Sequence, residues 1–142
     1  MKSFYSLTIW SCVLICGFGR GVVAREIVIA TPSQIAASLA TIQPGDIVIL
    51  KNGSWVNADI LVNKGGEPGH PVEIRAERPG GVVLGGISSL EINAPYVTVD
   101  GLFFDKGTTG KNSVIQFNSH HGILRNSAIV DYNPARFATK YY

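Results

Sequence analysis

The sequence predicts an all-β chain wound as a parallel β-helix and closed at its start by one short helix. Three observations predict it. After Asp46, short β-rich runs alternate with glycine, proline and asparagine, and no second helical pattern interrupts them. Apolar residues recur every 25 residues, as at Ile49, Ile74, Val99 and Leu124. Within the runs, apolar and polar residues alternate, so that Val72 and Ile74 face inward while Glu73 and Arg75 face outward.

The first 24 residues stand apart from the fold. Met1-Lys2 is a short basic start, Phe4–Phe18 is mostly apolar, and Val22-Val23-Ala24 supplies a cleavage sequence. This is the pattern of a secretory signal, too short and wrongly flanked for a spanning helix. A lipoprotein reading of Cys12 or Cys16 is weaker, because bulky Ile15 precedes Cys16 and Cys12 leaves a very short apolar run. Removal of residues 1–24 takes away both cysteines, Lys2 and Arg20, leaving ten basic residues against ten acidic ones. The remaining chain is therefore formally neutral and has no disulfide framework. It carries no electrostatic footprint for nucleic acid and no expected membrane contact once the signal is gone.

Residues 25–29 read as a strand. Thr31-Pro32-Ser33-Gln34 then opens a helix with threonine at the N-cap, proline at the first turn and glutamine closing a capping box. Ile35, Leu39 and Ile42 form its apolar stripe, placed to cover the first coil, and Gln43-Pro44-Gly45-Asp46 ends it. The expected organisation is thus signal 1–24, strand and capping helix 25–45, and coils 46–142.

The expected strands are 47–50, 60–62, 72–75, 82–84, 90–92, 97–104, 114–117, 123–124 and 128–130. The 25-residue interval also relates Ile47, Val72 and Val97, as well as Leu90 to Ile115, Ile92 to Phe117 and Phe104 to Ile129. Equivalent residues of successive coils stack about 4.8 Å apart, so inward columns form an aliphatic stack. Outward, Arg75, Asp100 and Arg125 make a column of alternating charge, and Asn93 and Asn118 are placed for an asparagine ladder or act as ordinary turn residues. Asn52-Gly53 is read as a corner, with a hairpin as the alternative. A jelly-roll or immunoglobulin-like sandwich is the competing fold, but it requires no such register.

The order and spacing of several segments carry a family resemblance. They are Gly45-Asp46 with Asn52-Gly53-Ser54-Trp55, Gly69-His70-Pro71-Val72-Glu73-Ile74-Arg75, Tyr96–Phe104, and Arg125–Pro134. Together they resemble polysaccharide lyase family 6, which contains alginate lyases and chondroitin B lyase folded as right-handed parallel β-helices. The resemblance implies β-elimination on a uronic-acid-containing polysaccharide by an exported lyase, alginate ahead of chondroitin or dermatan. It also implies Ca²⁺ to neutralise the substrate carboxylate, a lysine base and an arginine, all from coils beyond those present here. The chain contains no Glu-x-Glu pair. No catalytic residue and no metal ligand is therefore carried onto it, its substrate-binding residues are undefined, and the 142 residues are expected to be an inactive N-terminal part. The complete protein is expected to be a periplasmic or extracellular monomer. The alternatives are a non-catalytic β-helix adhesin or carbohydrate-binding protein, and a β-helical glycoside hydrolase with paired carboxylates.

Several residues invite a functional reading that a plainer one outweighs. His120-His121 suggests a metal pair, but adjacent strand residues point to opposite faces, so a turn before the Ile123 strand is favoured. Lys140 with Tyr141 imitates an acid–base pair, yet lies at a strand entry. Asp131-Tyr132-Asn133 is read as a turn led by Asn133-Pro134 rather than a groove element. Trp55 is read as packing rather than a sugar platform. With about three coils and one open end, the chain alone is expected to be poorly soluble.

Overall fold

A computed structural model gives the fold and describes residues 24–108, 111 and 113–132. The leader region and residues 133–142, including Asn133-Pro134, Lys140 and Tyr141, lie outside the described residues. The strands are β1 (Glu26–Ile29), β2 (Ile47–Leu50), β3 (Gly53–Val56), β4 (Asp59–Val62), β5 (Val72–Ala76) and β6 (Val82–Gly86). They continue as β7 (Ser89–Ile92), β8 (Val97–Asp100), β9 (Leu102–Gly107), β10 (Ile115–Phe117), β11 (Gly122–Arg125) and β12 (Ala128–Tyr132). From β2 onward every third strand joins the same sheet. The sheets run β1-β2-β5-β8-β11, β3-β6-β9-β12 and β4-β7-β10. All pairings between these strands are parallel. The chain is a three-sided β-solenoid, and the sandwich alternative is set aside.

The interior is a stack of aliphatic side chains. Val48, Ile74 and Val99 are fully buried in one column, Leu50 and Ala76 in the next, and Ile60, Leu90, Ile92, Leu84 and Phe104 fill the other two walls. Two residues of β2 move from their expected columns. Ile47 pairs with Glu73, an interval of 26, so Ile49 lies opposite Arg75 and faces outward while Val48 takes its interior place. Ile47 likewise leaves the Val72–Val97 column. A slip of one residue turns every side chain of a strand to the other face.

The slip has an origin in the corners. Between β4 and β5 the chain spends Asn63–Pro71, whereas Asn93–Tyr96 suffices between β7 and β8. Conversely, Glu77–Gly81 links β5 to β6, whereas Gly101 alone links β8 to β9. The two enlargements occur in consecutive coils at different corners and almost cancel. The run 97–104 is thus two strands broken at Gly101. That residue has φ +77, and a Cβ there would press on Pro79 Cα at 2.8 Å. Asn52-Gly53 is a corner and not a hairpin, and the sequence reading overlooked the strand that follows it, β3.

From the third coil onward the repeat governs even the backbone irregularities, at corners and within strands. Left-handed backbone recurs at Tyr96 and His121 (φ 53 and 55), at Gly101 and Asn126 (77 and 51), and at Lys106 and Asp131 (50 and 49). The asparagine ladder exists and gains a rung. Asn118 Nδ2 donates to Asn93 Oδ1 at 2.7 Å, and Asn93 Nδ2 to Asn63 Oδ1 at 3.0 Å.

The helical segment is a 3₁₀ turn (Pro32–Gln34) leading into α1 (Ile35–Leu39). Gln34 Oε1 accepts the Thr31 and Ala30 N–H groups at 3.2 and 2.9 Å, as a capping glutamine should. Ile35, Leu39 and Ile42 are all buried in the core, so the stripe covers the first coil as expected. At the other end, Phe117, Ile123, Leu124, Ile129 and Val130 of β10, β11 and β12 are 38–54% exposed.

A buried serine joins two coils at a corner. The Ser88 hydroxyl accepts the Ala58 N–H at 2.9 Å and lies 2.6 Å from the Gly85 carbonyl oxygen, to which it donates. Ser88 is fully buried. Ser88→Ala orphans the Ala58 N–H away from water and is expected to cost about 1–3 kcal/mol. Urea denaturation of the two proteins checks this; equal midpoints would contradict it.

Candidate functional site

Two outward concavities are present among the described residues. The first, about 370 Å³, lies on the outer face of the five-stranded sheet and is lined by Ile47, His70, Pro71, Glu73, Thr98 and Arg125, among others. Alternation along β5, β8 and β11 places these side chains outside. The predicted charge column is in register, Arg75 to Asp100 to Arg125. Arg125 Nε donates to Asp100 Oδ2 at 2.8 Å, and its Nη2 reaches Glu73 Oε1 at 3.3 Å, two coils away. Asn126 also donates to Asp100, at 2.9 Å. That amide and the guanidinium, against some desolvation, hold the Asp100 carboxyl below its ordinary value, and Asp100 raises Arg125 in turn. Arg125 is therefore committed to two carboxylates, and Thr98 is only 8% exposed. This face presents a balanced polar floor rather than a free cation.

The second concavity, about 430 Å³, lies between α1 and the outer face of the three-stranded sheet. Ala36, Leu39, Ala40 and Leu61 form its apolar side, and Asp59, Asn63 and Lys64 its polar rim. Asp59 accepts Lys111 and Ser89, both at 2.8 Å, and Lys111 lies 3.5 Å from Glu91. Burial opposes ionisation of Asp59, but Lys111 and the Ser89 hydroxyl outweigh it and lower its pKa. Hydrogen bonding to Asp59 correspondingly raises that of Lys111. A lysine held in this way is protonated and donates to carboxylates, which is the opposite of what a general base requires.

The residues singled out in the sequence fall as follows. Trp55 is 2% exposed and its indole N–H donates to Lys51 O at 3.0 Å, so it packs. Tyr132 is buried, and its hydroxyl donates to Ser88 O at 2.6 Å and lies 3.1 Å from Gly86 O. Asp131 lies within β12 with a left-handed backbone (φ 49), and Asn133-Pro134, which would lead the expected turn, lie outside the described residues. His120 and His121 form the turn expected ahead of the Ile123 strand. They occupy a bend ahead of β11, with His121 at φ 55, and their rings share a hydrogen bond, Nδ1 to Nδ1 at 2.6 Å.

Calcium requires six to eight oxygen ligands. Among the described residues no group of three or more His, Cys, Asp or Glu converges. Asp46 binds Arg25, Glu77 binds Lys51, Glu73 and Asp100 bind Arg125, and Asp59 and Glu91 meet Lys111. The described residues do not fit a calcium site.

The family model for chondroitinase B matches residues 29–137. The chain belongs to the chondroitinase B family. Solved structures of polysaccharide lyase family 6 agree with the assignment. A family 6 polysaccharide lyase from Pseudopedobacter saltans is 38% identical, with a TM-score of 0.73 over 77% of this chain and 25% of its own. The alginate lyase AlyGC is 30% identical, with a TM-score of 0.62 over 75% of this chain and 15% of its own. A mannuronic acid-specific family 6 lyase from human gut microbiota is 26% identical, with a TM-score of 0.64 over 75% of this chain and 26% of its own. No curated protein matches. The chain thus spans about a quarter or less of the lengths of these lyases.

Proposed function

We propose that this chain is the N-terminal coil stack of an exported polysaccharide lyase that cleaves a uronic-acid polysaccharide, alginate-type, by β-elimination. The observation that carries the reading is 38% identity to a family 6 lyase over three-quarters of the chain. Alginate is preferred to chondroitin or dermatan because AlyGC is an alginate lyase and another similar family 6 lyase is specific for mannuronic acid. Export rests on the basic-then-apolar leader of residues 1–24.

In this reading residues 25–142 supply scaffold and not chemistry. β-Elimination needs the C5 proton made acidic by neutralising the adjacent carboxylate, and a base with a depressed pKa to take it. Ca²⁺, when bound in the family's chemistry, supplies that neutralisation. Here the pKa of Lys111 is raised rather than lowered, and Arg125 is paired with Glu73 and Asp100. Residues 25–142 incubated with alginate or dermatan are expected to give no ultraviolet absorbance from unsaturated product. A version of the protein carrying an Asn, a Glu-x-Glu, a Lys and an Arg in further coils is expected to give it. Sustained absorbance from residues 25–142 alone would overturn the assignment of a scaffold role.

A further inference from the structure

We propose that Asn52 is a self-modifying deamidation site whose rate is set by the corner of the next coil, independent of the polysaccharide reading. Of the chain's eight asparagines, only Asn52 is followed by glycine. Lacking a Cβ, Gly53 offers its amide nitrogen to the preceding side chain with the least obstruction. In the reaction that nitrogen gives up its proton and bonds to Asn52 Cγ, and ammonia leaves. Water then opens the five-membered imide. The product is aspartate, or an isoaspartate whose main chain runs through the former side chain.

In the folded chain both reacting groups are engaged with the corner between β5 and β6. Gly53 N–H donates to Gly81 O at 2.8 Å, and Asn52 Oδ1 accepts the Arg78 N–H at 3.1 Å. Asn52 N–H also donates to Glu77 Oε2 at 3.2 Å, while Lys51 Nζ holds Oε1 of the same carboxylate at 2.6 Å. The amide fills the space that a side chain at 81 would need. A Cβ on Gly81 would overlap Asn52 Oδ1 and lie 2.8 Å from Asn52 Cγ. Ring closure takes the proton out of the first of these bonds and turns the oxygen out of the second. The corner must therefore open before Asn52 reacts, and local opening of this kind sets the rate.

The product disturbs the same corner. Isoaspartate lengthens the main chain between Lys51 and Trp55, a span that the Trp55 indole closes by donating to Lys51 O at 3.0 Å. β3 starts at Gly53, lies at the end of its sheet and pairs with β6. Displacing Gly53 from Gly81 O therefore loosens the first rung of that pairing. Aspartate keeps the spacing but sets a second carboxylate beside Glu77.

The test holds the 142-residue chain at mildly alkaline pH, either folded or in urea. Proteolytic peptides are then weighed for exchange of NH2 for OH at each asparagine. In urea the Asn52 peptide is expected to change before the other seven sites. In the folded chain it is expected to change at least about tenfold more slowly, the mark of a reaction that waits on opening. Gly81→Ala, whose Cβ evicts the amide, is expected to raise the folded-state rate at Asn52. Equal rates in the two conditions overturn the proposal, as does another asparagine leading in urea. A folded Gly81→Ala chain with an unchanged Asn52 rate overturns it as well. Should that variant not fold, the comparison of the unsubstituted chain with and without urea decides alone.

Discussion

Phe104→Ala is expected to lower the stability of the solenoid by about 3–5 kcal/mol, the usual cost of removing a buried phenyl group. Phe104 has no exposed surface and sits in β9 between Leu84 of the coil before and Ile129 of the coil after. Its ring meets Tyr132 edge-on at 5.6 Å, and Tyr132 is tied through its hydroxyl to the Ser88 corner two coils away. Truncation therefore opens a void and unseats the tyrosine that bridges three coils. Val56→Ala, on the same sheet but 56% exposed, should change stability by less than about 0.5 kcal/mol. Urea denaturation followed by circular dichroism decides it; equal midpoints for the two variants would contradict the packing described.

Gly65→Ala is expected to be strongly destabilising. A Cβ at Gly65 overlaps the Pro95 carbonyl oxygen and lies 3.0 Å from Pro95 C, so the obstacle is backbone rather than a movable side-chain end. The neighbouring Gly66 N–H donates to the same oxygen at 3.0 Å. Relief requires the enlarged corner between β4 and β5 to lift off the corner above it, breaking that bond. Overpacking of this kind costs about 1–3 kcal/mol, and the lost hydrogen bond adds to it. Gly85→Ala is the control, because its Cβ would meet only Asp105 O at an ordinary 3.5 Å. A Gly65 variant as stable as the Gly85 variant would show that the two corners do not touch as described.

Much of the fold was legible because parallel stacking writes itself into sequence as a repeated interval. Val72 and Val97, Ile74 and Val99, and Leu90 and Ile115 all pair at 25 residues. Ile49 went wrong because Ile47–Leu50 reads Ile-Val-Ile-Leu, apolar at every position, so alternation gives no sign of which two face inward. Burial of Val48 and Leu50 is decided by the neighbouring coil. Strand β3 escaped notice because only Trp55 of its four residues is buried, which leaves no apolar pattern to detect. Asn63 was missed as a ladder rung because the corner enlargement moves it 30 residues from Asn93.

Site legibility followed the same division. The Arg75–Asp100–Arg125 column came from strand register and stands, but the reach of Arg125 to Glu73 depends on side-chain length across two coils, which spacing alone does not encode. The turn at His120-His121 was legible ahead of the Ile123 strand, but the contact between the two rings was not. Side-chain direction at corners is set by backbone torsions that sequence periodicity does not carry.

The unequal corner lengths have a consequence for how such a scaffold tolerates change. Residues added on one flank of a turn widen its girth there without altering the spacing between storeys, provided the strands on either side keep their partners. The segment around Glu67–His70, which closes on itself through its own short antiparallel bridge, has already used this freedom. Girth and storey height are separate variables in this architecture, so a peptide grafted into that segment would enlarge the outline of one storey while leaving the stack above and below it seated.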